Sequence, residues 1–226
     1  HGGEISWRNV FVREIAAEEA NDFLSKGGTQ AANKKFQSIF NGKNLTNWKG
    51  PVDNYEVTKE GTVQCRKGKG GTIYWNKEYS DFTARLEIKL PPGGNNGLAI
   101  RYPGNGDTAY VGMCELQVLD NTAKKYAKLK TQQYHGSAYG QLAARRGFLR
   151  PAGTWNFQEV VVQGSRIKVE LNGYVILDAD ILKDADYMAK KERFSGRTRT
   201  RGYFGFAGHG DAVEYRAVRI KDLSKD

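Results

Sequence analysis

The chain has 226 residues, and 35 Lys+Arg against 25 Asp+Glu give it a formal charge of +10. At ~150 residues per domain that length suits one or two domains, or one large β-sandwich, with a core that needs no disulfide staples. A hydrophobic share of 39% excludes an intrinsically disordered chain, and no apolar run approaches the ~20 residues of a membrane span.

The first element is a strand-like segment that recurs at the other end of the chain. Residues 1–15 (HGGEISWRNVFVREI) align without gaps on 209–223 (HGDAVEYRAVRIKDL), with His, Gly, Arg and Val in register. Residues 1–15 therefore read as the terminal strand of a preceding copy of the domain, and the chain as part of a longer tandem protein. An ordered strand is expected over Glu4–Ile15. It would pair with an edge of its own domain or with a neighbouring molecule in a homodimer. No charged segment followed by an apolar one marks an export signal.

Residues 16–35 read as a short helix and linker. Ala16, Ala20, Phe23 and Leu24 share one face over 16–26, and Gly27-Gly28 ends it. From Phe36 to Asp226 the signals are those of one β domain. Asp81–Leu90 alternates apolar and polar across ten residues, the pattern of a half-buried strand. Further strands are expected near 55–58, 62–66, 72–75, 97–102, 112–119, 157–163, 202–206 and 213–221. Asn172-Gly173 between two apolar runs asks for a hairpin with a type I′ turn. Residues 180–191 are expected to form a connecting helix. Short strands with 27 glycines and only 5 prolines predict an all-β antiparallel sandwich, a jelly roll with one or two short helices. Cys65 and Cys114, far apart in sequence, define neither a disulfide framework nor a zinc site and read as buried free thiols.

The segment Phe36-Gln-Ser-Ile-Phe-Asn-Gly-Lys-Asn-Leu-Thr-Asn-Trp48 resembles the opening motif of the 3-keto-disaccharide hydrolase family, a concanavalin-like jelly roll common in Bacteroidetes. The likeness continues through Tyr79–Phe82, Leu90–Gly97, Glu115–Asp120, Ala138–Gly140, Gly153–Asn156, Leu171–Gly173 and Gly208–Gly210, in order over about 36–224. Asn96 stands where the family has Ser, and Ala207 where it has Gln. The resemblance implies a sugar-binding sheet face, a carbohydrate ligand, and a periplasmic or extracellular location.

In a strand over 112–120, Cys114, Leu116 and Val118 face the core, which turns Glu115 and Gln117 to the opposite face. Arg101, at the end of the neighbouring strand, is expected to reach the same face. An ordinary glycosidase needs two carboxylates flanking the bond, and the sequence pairs no second one with Glu115. A 3-keto sugar relaxes that demand, because its carbonyl acidifies C2–H and one base then suffices for elimination. Glu115 is the candidate base, Arg101 or a divalent cation the enolate stabiliser, and His135, His209 or Tyr139 the acid. Gln117, Asn96, Arg101 and Tyr139 are candidate substrate-binding residues. No HxH or HxxxH spacing supports a metal site, so a divalent cation stays open and no cofactor is assigned.

Lys67-Gly-Lys-Gly-Gly71 lacks the ending of a phosphate loop and reads as a turn. The basic residues cluster in loops with few aromatics, around Lys124-Lys125, Arg145-Arg146 and Arg193–Arg201, which argues against nucleic-acid binding. A non-catalytic carbohydrate-binding module and a polyanion-binding surface protein remain as alternatives to the enzyme.

Overall fold

The computed structural model describes residues 8, 12–26 and 35–224. The strand expected over Glu4–Ile15 lies mostly outside them, and Val12–Ile15 hold no regular structure. Helix α1 (Ala17–Ser25) starts and ends one residue inside the expected 16–26.

Two antiparallel sheets follow. Sheet A comprises β1 (Gln37–Ser38), β3 (Tyr55–Val57), β4 (Val63–Cys65), β6 (Phe82–Lys89), β9 (Trp155–Gln163), β10 (Arg166–Leu171), β11 (Tyr174–Asp180) and β13 (Glu214–Asp222). Its order is β11-β10-β9-β6-β13-β4-β3, with β1 also on β13. Sheet B comprises β2 (Trp48–Lys49), β5 (Gly71–Tyr79), β7 (Asn95–Tyr102), β8 (Cys114–Leu119) and β12 (Gly202–Gly208), in the order β2-β5-β12-β7-β8. Helix α2 (Thr108–Val111) sits in the β7–β8 connection.

The alternation in sequence explains which side chains meet. Phe82, Ala84, Leu86 and Ile88 of β6 are buried against Leu98, Ile100, Leu116, Val118, Phe204 and Phe206 of sheet B. Phe206 stacks on Tyr215 at 4.0 Å and on Trp48 at 5.0 Å, so Trp48 belongs to the core. Asn172 and Gly173 both adopt positive φ (52° and 89°), as the type I′ turn requires. Cys65 and Cys114 are free and buried, and burial pushes both thiols up.

The helix expected over 180–191 is absent. Asp180 Oδ1 accepts from Leu182 N, and Asp184 Oδ2 accepts from Asp180 N at 2.7 Å, so aspartate side chains take the backbone donors and fold the segment into turns. On the solvent side of sheet A the carboxylates are paired: Arg216 with Glu87, Lys89 with Glu214, and Arg85 with Glu159. Helix α1 lies over this face, where Asn21 donates to Glu87 at 3.0 Å.

Candidate active site

The site lies on the face of sheet B turned away from the core. Strand β8 alternates as read from sequence, with Glu115 and Gln117 opposite to Cys114, Leu116 and Val118. Both polar residues are nonetheless buried, because the loops after β7 and β8 roof over them. Segment 136–139 docks on the free edge of β8: Gly136 N donates to Gln117 O, Gln117 N to Ser137 O, and Tyr139 N to Glu115 O. The last of these bonds sets Tyr139 beside Glu115. Together with Asn95, Asp107, Tyr110, Tyr126 and His209 they line a cavity of about 250 Å³.

Glu115, opposite Ala99 on β7, has room because the diagonal neighbour on that strand, Gly97, is glycine. A Cβ at Gly97 would stand 2.3 Å from Glu115 Oε1, an impossible approach. His209 is held above the carboxylate by the Gly-His-Gly sequence. A Cβ at Gly208 would meet Tyr55 Oη at 2.5 Å, and Gly210 takes φ 89°, so the turn can lie flat on the sandwich end. Asn96 Oδ1 then accepts from His209 N at 2.8 Å.

His209 Nε2 and Glu115 Oε1 are 2.9 Å apart, and their side chains are 42% and 4% exposed. The hydrogen bond and charge of Glu115 hold the His209 pKa above its ordinary value. Glu115 Oε2 has no hydrogen-bond partner among the described residues. Gln117 donates to Asn95 Oδ1 at 2.6 Å. Tyr139 Oη accepts from Gln133 at 3.3 Å, which leaves its own proton to give.

Three residues expected here do other work. Arg101, at φ 48°, leaves the strand's alternation and is buried. Its guanidinium donates to Ser80 O, Gly164 O and Arg199 O and pairs with Asp81, so it ties loops together at the sandwich edge. His135 is sealed behind the docked segment: Nδ1 accepts from Leu119 N at 3.2 Å and Nε2 bonds Gln158 at 2.9 Å. Burial pushes its pKa down to about 4, so it stays neutral and shut off from the cavity. Asn96 is fully buried and is absent from the cavity wall; it positions His209 instead of touching ligand.

Sequence reasoning missed Asp107, Tyr110 and Tyr126. Asp107 caps α2, its Oδ1 accepting from Ala109 N at 3.1 Å, and a capping aspartate before a short apolar run was the available signal. Among the described residues, no group of three or more His, Cys, Asp or Glu is gathered as a metal site.

The fold and the site together define an antiparallel jelly-roll sandwich that pairs a buried carboxylate with a part-exposed imidazole in a cavity on its outer sheet face. The chain belongs to the family of 3-keto-alpha-glucoside-1,2-lyase-like domains, whose pattern fits residues 35–221. It is 24% identical over 225 aligned positions to a 3-keto-disaccharide hydrolase of Bacteroides thetaiotaomicron, which covers 82% of this chain and 78% of that protein. A crystal structure of a candidate glycosyl hydrolase from Parabacteroides distasonis superposes with TM-score 0.73 at 25% identity, over 83% of this chain and 99% of that one. The carbohydrate-binding module CBM66 from Bacillus subtilis shares the fold at TM-score 0.51 and 18% identity, over 79% and 97%.

Proposed function

We propose that the chain cleaves 3-keto-glycosides by base-initiated elimination in the Glu115 pocket. The observation that carries this reading is the Glu115–His209 contact, in which one carboxylate oxygen is bound to an imidazole and the other is free. Glu115 Oε2 takes the C2 proton that the neighbouring ketone has acidified. The C2–H electrons form the C1=C2 double bond, the C1–O1 bond breaks, and O1 receives the His209 proton. Addition of water at C1 then completes a net hydrolysis. Arg101 being elsewhere, we assign the enolate oxygen at C3 to the O–H of Tyr139, whose proton is not used in its bond from Gln133.

A carbohydrate-binding module would hold the same sugar without turning it over. Incubation with a 3-keto-α-glucoside, followed by detection of the released aglycone, separates the two. Release by the parent chain and its loss in Glu115→Gln support the enzyme. Saturable binding without release supports the module.

A further inference from the structure

The cavity floor and the cavity rim differ in charge. Glu115 and Asp107 are among the lining residues, while the connection that follows β8 opens with a run of lysines, from Lys124 to Lys130, around the lining residues Tyr126 and Leu129. From Asn121 to Gln158 the sequence has no Asp or Glu, yet it carries Lys124, Lys125, Lys128, Lys130, Arg145, Arg146 and Arg150.

Two cations sit directly on lining aromatics. The Arg193 guanidinium stands 4.2 Å over the ring of Tyr110, and Lys125 Nζ 4.8 Å over that of Tyr126. Both tyrosines line the cavity, and both cations are exposed. A ring face holds such a cation without neutralising it. Neither Arg193 nor Lys125 has an ion-pair partner within 4 Å among the described residues. The charges of Asp211 and Asp120 reach Lys125 without forming an ion pair with it, and the Asp120 carboxylate is occupied by Gly93 N, Thr122 N and the Thr122 hydroxyl. Lys125 lies beside the β6–β7 turn, since a Cβ at Gly93 would be 3.3 Å from its Nζ. Two residues after that turn, Asn95 lines the cavity. Lys128 and Lys130, also exposed, flank the lining residue Leu129.

We propose that the substrate is an anionic glycoside. Its neutral 3-keto ring sits on Glu115, and a carboxylate or sulfate on the leaving portion meets Arg193 and Lys125. This rests on the catalytic reading above and goes beyond it to the substrate's charge. The sheet A face makes the contrast, because Arg85, Lys89 and Arg216 there are already paired with glutamates.

The test uses three 3-keto-α-glucosides, of 4-hydroxybenzoate, 4-hydroxybenzenesulfonate and the neutral 4-hydroxybenzamide. The expected result is a higher kcat/KM on one or both anionic probes, by about two- to fivefold for each cation engaged. The preference should shrink when salt is raised from about 0.05 to about 0.5 M. It should fall towards one in Arg193→Gln and Lys125→Gln, and stay in Lys59→Gln, which removes a charge from the β3–β4 turn. Preference for the carboxylate alone or the sulfonate alone identifies which anion is read. Turnover with equal kcat/KM on all three probes overturns the charge proposal and leaves the catalytic one standing. Absence of turnover on all three overturns the catalytic reading. The Kd values of the same probes by calorimetry then decide the charge, and equal Kd values overturn it as well.

Discussion

Two histidines contact the same strand, and they behave in opposite ways. His135, behind the docked segment, has both ring nitrogens bound, one to Leu119 N and one to Gln158. His209, at the cavity, has a carboxylate on Nε2 and a side chain 42% exposed. Burial without a counter-charge pushes His135 down to about 4, while a neighbouring carboxylate raises His209. Environment, not residue type, separates a structural imidazole from one able to move a proton. Both sit near small residues in sequence, so that context alone did not tell them apart.

The comparison breaks first at Glu115. Glu115→Gln keeps the shape but removes the proton acceptor, so kcat on a 3-keto-glucoside should fall ~10²–10⁴-fold with KM changed little. An unchanged kcat with a raised KM would make Glu115 a ligand for sugar only. Asp107→Asn offers the internal control. Asparagine caps a helix about as well as aspartate, so this change should cost less than ~10-fold in kcat, whereas a second catalytic carboxylate would cost ~10²-fold or more.

Stability sharpens the comparison from the other histidine. His135→Leu orphans the Leu119 N–H and the Gln158 side chain, and should cost about 1–3 kcal/mol in urea unfolding. The unfolded His135 takes a proton below about pH 6.5 whereas the folded one resists until about 4. The parent chain should therefore lose stability as pH falls through that interval, on the order of 3 kcal/mol in all, and His135→Leu should lose this component. His209 runs the other way. With its folded pKa raised, its contribution is fully present below about pH 6.5 and fades as pH rises through the folded value. NMR titration should place His209 above 6.5 in the parent chain and lower in Glu115→Gln; equal values in the two would break the pairing.

Much of this was legible beforehand. The β6 alternation, the Asn172-Gly173 turn and the Cys114/Leu116/Val118 versus Glu115/Gln117 division of β8 follow from side-chain period alone. The Gly-His-Gly turn marked His209. What periodicity could not carry was the loop geometry. Arg101 follows Ala99 in alternation and should share Glu115's face, but its positive φ turns it to the sandwich edge. Asp107, Tyr110 and Tyr126 come to the cavity on connections that have no sequence period to read. The failed helix over 180–191 is of the same kind, decided by local aspartate hydrogen bonds.

The central claim is that Glu115 removes the C2 proton. A 3-keto-glucoside deuterated at C2 tests it most directly, against the protiated substrate, by kcat/KM in the same buffer. The account predicts a slower reaction with deuterium, a primary isotope effect carried by the bond that Glu115 Oε2 breaks. Equal rates for both substrates, with normal product release, would contradict it.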